Sequence, residues 1–302
     1  MSQASSSPPT GIGAAIGAFL IWGLLPMYWK ALSAVPALQI LCHRIVWSLV
    51  FLALVVTVRR GWGGVRQALR SRRDVLLLAA GSVLISINWF LYIWAVNHGH
   101  VVESSLGYYI NPLVNVLLGF AFFRDRLRRW QVVAIVLAAA GVLNLVWQFG
   151  RAPWIALALA VSFGMYGLVR KVATVESVNG LFFETLVLGL PAAGYLGWQE
   201  MQGLGALGHL DIGTDLLLIS AGVVTATPLV LFAFAARRLR LATVGVLQYI
   251  APTGMFLLGV FAYGEPFSPA HLTTFALIWA GIALYTADGL RGLRRPRPRF
   301  PR

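Results

Sequence analysis

The chain has 302 residues, 59% apolar and only 11% charged, against roughly 25% charged residues in a typical soluble domain. That much apolar surface excludes a water-soluble fold. The net charge of +14 suggests nucleic acid at first sight, but the basic residues sit between long apolar runs, the pattern of membrane topology.

A spanning helix needs roughly 20 mostly apolar residues to cross about 30 Å of hydrocarbon. Ten such runs are legible, at 12–29, 37–58, 75–96, 101–123, 131–148, 154–169, 180–198, 216–236, 241–263 and 272–290. Residues 1–10 contain no basic side chain, and the first run is read as a retained helix rather than a removable signal.

The second run contains Cys42, His43, Arg44, Trp47 and Ser48. As the single cysteine, Cys42 excludes an intramolecular disulfide, and this chain alone cannot build a thiolate metal cluster. An arginine within a span costs about 2.5–3.5 kcal/mol on insertion scales and marks a substrate path or an ion pair. His43 is read as a hydrogen-bonded histidine or a proton relay. The third run places Asn88 and Tyr92 one turn apart beside Trp89 and Trp94. In the fourth, Ser104, Tyr108, Asn111 and Asn115 share one face, with Pro112 at mid-helix. This stripe is either a solute-binding surface or interhelical glue. His98, His100 and Glu103 precede it with spacings unlike a structural zinc site, and Glu103 suits the positive end of its own helix.

The fifth and tenth runs are nearly free of polar side chains at their middles and are expected at the periphery. The sixth carries Ser162 and Tyr166, the seventh Glu184, and the ninth Gln248 and Pro252. Prolines in mid-span free a backbone carbonyl, which is tolerable only beside protein or a wet cavity. Trp62, Trp130, Trp154 and Trp198, at run ends, suit the membrane interface.

The connections after the second, fourth, sixth and eighth runs, together with the C-terminal tail, hold 21 basic residues, whereas the opposite side holds only Lys30 and Arg151. Basic residues stay in the cytoplasm, so both termini are expected inside and the 199–215 connection outside. The chain also resembles itself at an offset of 140. Tyr109, Ile110, Pro112 and Leu117 to Gly119 recur as Tyr249, Ile250, Pro252 and Leu257 to Gly259, and Asp125 aligns with Glu265. Five runs per copy invert the second copy. The expected fold is therefore an all-α membrane protein of ten transmembrane helices in two inverted five-helix repeats, residues 1–150 and 151–302. The same offset pairs Arg44 with Glu184, opposite charges expected to face one cavity and to meet directly or through a solute.

The runs His43 to Ser48, Asn88 to Asn97, Glu103 to Asn115, Tyr166 to Lys171, Gln248 to Thr253 and Tyr263 to Glu265 resemble the RarD branch of the EamA-type transporters, in the drug/metabolite transporter superfamily. The resemblance spans all ten runs. It implies inverted five-helix repeats around a central cavity lined by the first to fourth and sixth to ninth helices. One departure is visible: where the family shows Gly-Glu-Arg after the fourth helix, this chain has Arg124-Asp125-Arg126.

Transport by alternating access of a small amphipathic solute across the bacterial inner membrane is the function these features favour. An anionic or carbonyl group on that solute would suit Arg44. The substrate-binding candidates are His43, Arg44, Trp47, Asn88, Tyr92, Tyr108, Asn111, Asn115, Tyr166, Glu184 and Gln248. A membrane-embedded enzyme or a channel is the alternative. The sequence holds neither a phosphate-cradling glycine-lysine loop nor a His-Glu-x-x-His helix. No cofactor, metal or nucleic acid is expected, and the partners are the solute and membrane lipid.

Overall fold

The structure, a computed structural model, describes residues 8–124, 127–150, 152–236, 238–239 and 241–294. The expectations for the first seven residues, for Asp125, Arg126, Arg151, Arg237 and Arg240, and for the tail after Arg294 lie outside the described residues. Among those described the chain is helical, without strands.

The helices are α1 (Pro8–Ala31), α2 (Ala37–Val58), α3 (Trp62–Arg70), α4 (Arg72–Asn97), α5 (Val101–Phe123), α6 (Arg129–Phe149), α7 (Trp154–Val172), α8 (Ser177–Met201), α9 (Ile212–Ala236), α10 (Leu241–Leu247), α11 (Ile250–Leu257) and α12 (Pro269–Arg294), with a π-helical turn over Leu258–Ala262. Nine of these, among the described residues, are long and apolar enough to cross a membrane, and Ile250–Ala262 is a shorter apolar stretch.

Two expected elements differ from the sequence reading. The connection between the second and third runs contains α3, an amphipathic helix that buries Val65 and Ala68. The ninth run is not one uninterrupted helix: it turns at Gln248 and Tyr249 between α10 and α11. Pro252 supplies a physical reason, since a proline ring clashes with the carbonyl four residues earlier, here Gln248. Its repeat counterpart Pro112 lies within α5, which runs unbroken.

The main apolar core draws on α1, α2, α4, α7, α8 and α9. Helix α2 packs on α8 and α9, α7 on α4 and α5, and α1 on α9 and α11. Helices α6 and α12 pack chiefly on one another and give no residue to that core. Their contact is reciprocal in the 140-residue register. A Cβ on Gly141 would lie 3.1 Å from the Thr274 carbonyl oxygen, and one on Gly281 would lie 2.8 Å from that of Ala134. Likewise Tyr109 and Tyr249, equivalent in the same register, stack on each other with ring centroids 6.2 Å apart.

Candidate functional site

Arg44, on α2, is 5% exposed. Its guanidinium carbon lies 4.0 Å from the ring centre of Trp89 on α4 and 5.0 Å from that of Trp29 on α1. Such contacts are worth about 2 kcal/mol or more when desolvated. The tyrosines Tyr28, Tyr92 and Tyr108 lie within electrostatic reach of the charge. Tyr28 donates to the Leu217 carbonyl and shares a 2.9 Å hydrogen bond with Ser220, which holds it against α9. Among the described residues, Nε and Nη1 of Arg44, the Tyr92 hydroxyl and Trp29 Nε1 are buried with no hydrogen-bond partner.

A line of rings leads away from this cage. Tyr92 meets Tyr108 edge-on at 5.6 Å, Tyr108 meets Phe163 at 6.3 Å, and Phe163 meets Tyr166 at 6.1 Å. The Tyr166 hydroxyl then donates to Glu184 Oε2 at 2.9 Å. Glu184, on α8, is 0% exposed, and its Oε1 lies 3.5 Å from Arg170 Nη1. Helix α4 measures the separation of the two charged centres. Gly81 abuts the Glu184 carboxylate, where a Cβ would approach Oε1 to 3.0 Å, and Trp89 abuts Arg44. Eight residues at 1.5 Å rise put the two levels about 12 Å apart along the axis.

The structure therefore overturns the direct form of the expected partnership of Arg44 with Glu184 and leaves the solute-bridged form as a proposal. Glu184 forms its ion pair with Arg170 of α7, whereas Arg44 is held by aromatic faces. The asparagines point elsewhere again. Asn88 donates to the Leu159 carbonyl and to the Ser162 hydroxyl, both at 3.0 Å. Asn111 donates to the Ala160 carbonyl at 3.2 Å and accepts from Asn115 at 2.9 Å. The bonds of Asn88 and Asn111 join α4 and α5 to α7, whereas the one between Asn115 and Asn111 lies within α5. His43 and Trp47 line a cavity of about 360 Å³ beside the 202–211 loop, with Glu200, Ala206 and Leu207. Gln248 sits at the turn before α11, next to the stacked Tyr249.

Four residues of these clusters escaped the sequence reading as site residues: Tyr28, Trp29, Phe163 and Arg170. In sequence Arg170 is a topology signal and part of the family-like run Tyr166 to Lys171, Tyr28 and Trp29 are the end of the first run, and Phe163 is an apolar position of the sixth. A signal was available, since an acidic residue buried in a span demands a cation and the adjacent Arg170 and Lys171 are the basic residues nearest to Glu184 in sequence. Glu103, read as serving its own helix, also accepts the Ile155 amide of α7 at 3.0 Å. His98 and His100 stack on Trp94 at 4.5 and 5.8 Å.

Comparison with known proteins places this geometry in context. A family model described as the EamA-like transporter family matches twice, over residues 9–147 and 151–287. An uncharacterized transporter, YojE, of Bacillus subtilis is 52% identical over 280 residues, covering 91% of this chain and 93% of its own. Protein RarD of Escherichia coli is 45% identical, covering 94% and 96%. A chloramphenicol-sensitive protein RarD of Pseudomonas aeruginosa is 32% identical over 94% and 96%. A crystal structure of a protein shares the fold with a TM-score of 0.62 at 21% identity, over 93% of this chain and 99% of that one. The family and the names of these relatives indicate a transporter rather than an enzyme. Together with nine long apolar helices among the described residues they make this a multi-pass protein of the bacterial inner membrane. With both halves matched and relatives aligned over nearly its whole length, the chain belongs to the EamA-like transporter family, in its RarD branch.

Proposed function

We propose that the chain is a secondary transporter that moves a small amphipathic solute by alternating access between two inverted five-helix halves, residues 1–150 and 151–302, with both termini in the cytoplasm. The observation that carries the reading is the line of rings joining two buried charged centres, Arg44 and the Arg170–Glu184 pair, about 12 Å apart along α4. Aromatic bodies with polar tips suit a solute with an apolar part and a polar handle. The inverted-repeat element is supported by the reciprocal contacts of Gly141 and Gly281, by the stacking of Tyr109 on Tyr249, and by one family match per half. Ten crossings follow if α10, α11 and the π turn together make the tenth, and two related halves can then rock about a site between them.

A thermal-shift screen of metabolites on the purified chain identifies a bound solute, because ligand binding to the folded state raises its stability. The hit, trapped inside proteoliposomes, should drive saturable counterflow of external label. Flux that stays linear with concentration and shows no counterflow would make the protein a channel.

A further inference from the structure

We propose that the Arg44 cage recognises a monovalent carboxylate on an otherwise apolar organic solute; this rests on the transporter reading above and names the class of its substrate. Charge balance supplies the first step. A guanidinium taken out of water calls for a counter-ion, and none of the ion pairs among the described residues involves Arg44. The acid nearest in the repeat register, Glu184, already has Arg170. Glu265, a half-buried acid, accepts from the α5 amides of Val101 and Val102 at 2.7 Å each. No acid among the described residues pairs with Arg44, and the missing negative charge is assigned to the solute.

Donor chemistry supplies the second step. The orphaned atoms of the cage are Arg44 Nε and Nη1, Trp29 Nε1 and the Tyr92 hydroxyl, all of which can donate. A group that only accepts hydrogen bonds satisfies them, and carboxylate oxygens match guanidinium N–H geometry. One uncompensated positive charge is neutralised by a monoanion. A phosphate monoester, at about −1.5 to −2 near neutral pH, would leave excess negative charge in the same apolar surroundings. The apolar body has its place along Tyr92, Tyr108 and Phe163, which a bare inorganic anion would leave unused.

The test follows thermal unfolding of the full chain in detergent at constant ionic strength. The probes are sodium acetate, hexanoate and phenylacetate, against phenylacetamide, phenethylammonium and sodium chloride. Phenylacetate and hexanoate should raise the midpoint by several degrees at millimolar concentration, acetate by less, and the remaining three by nothing measurable. Arg44→Gln should abolish the rise and Arg44→Lys should retain part of it. Without ligand, Arg44→Gln should melt close to the parent, because the cation–π contacts it loses are offset by removal of a buried charge that lacks an anionic partner. A large drop in that unliganded midpoint would make Arg44 a structural cation and overturn the proposal. So would the absence of a rise with every carboxylate, an equal rise with phenylacetamide, or an equal rise with chloride. A neutral solute that nevertheless drives counterflow would remove the carboxylate and leave the transporter reading standing.

Discussion

Glu184 combines complete burial with an ionic partner 3.5 Å away, and this sets what its loss should do. Removing one member of a buried ion pair leaves the other charge uncompensated, at a cost of about 3–5 kcal/mol. Arg170→Ala is thus expected to lower the thermal midpoint sharply, because it strands the fully buried Glu184, and Glu184→Ala somewhat less, since the Arg170 it strands is 15% exposed and closer to solvent. The double variant should recover much of the loss. A double-mutant cycle in detergent checks this, and additivity of the two single effects would show that the pair is not coupled. The same cycle run with Arg44 in place of Arg170 should be close to additive. Residue-level legibility was uneven for a physical reason: composition and spacing reveal that a buried charge exists, but not which neighbouring helix supplies its partner. Turn chemistry was more transparent. The Arg124 that replaces the family's glycine adopts a left-handed φ of 55°, and its repeat counterpart Gly264 adopts 63°. Both halves use one conformation, without strain only where glycine provides it.

Helix contacts in a bilayer depend on close backbone approach, because lipid offers apolar surface as readily as protein does. Gly222 of α9 illustrates this against α2. A Cβ there would lie 2.3 Å from both the carbonyl carbon and oxygen of Trp47, which are backbone atoms unable to swing away. Gly222→Ala should therefore force α9 from α2 and destabilise the protein, while Gly194→Ala, where nothing lies within 4 Å, should be neutral or slightly stabilising. Comparing the two midpoints separates close approach from helix propensity, and equal effects would refute the argument. At this scale the period and length of the apolar runs foretold most helices, since a span must be long and apolar whatever its neighbours are. They did not foretell α3, whose burial of Val65 and Ala68 uses only two apolar positions in a basic stretch. Nor did they foretell the turn at Gln248, because the equivalent proline leaves α5 continuous.

For the whole molecule, sidedness is the property on which the two-halves reading stands. Basic connections cluster on one side of the expected topology by 21 to 2, and such residues resist translocation when they lie near span ends. Arg66 on α3 is exposed, so a cysteine there reports its compartment without disturbing the core. On the opposite side Gly205 is a poor reporter, because a Cβ would come within 2.1 Å of the Glu200 carboxylate. Leu210, 54% exposed, is the better position. In a Cys42→Ala background, Arg66→Cys should react with an impermeant maleimide only after the cells are opened, and Leu210→Cys should react in intact spheroplasts. The two sites lie on either side of α4, α5, α6, α7 and α8. An odd number of crossings between them puts them on opposite faces, whereas an even number would put them together. Reaction of both from the same side would remove one crossing from the count. It would also end the inverted pairing of α2 with α8, since these helices would then no longer occupy equivalent places in two halves of opposite orientation.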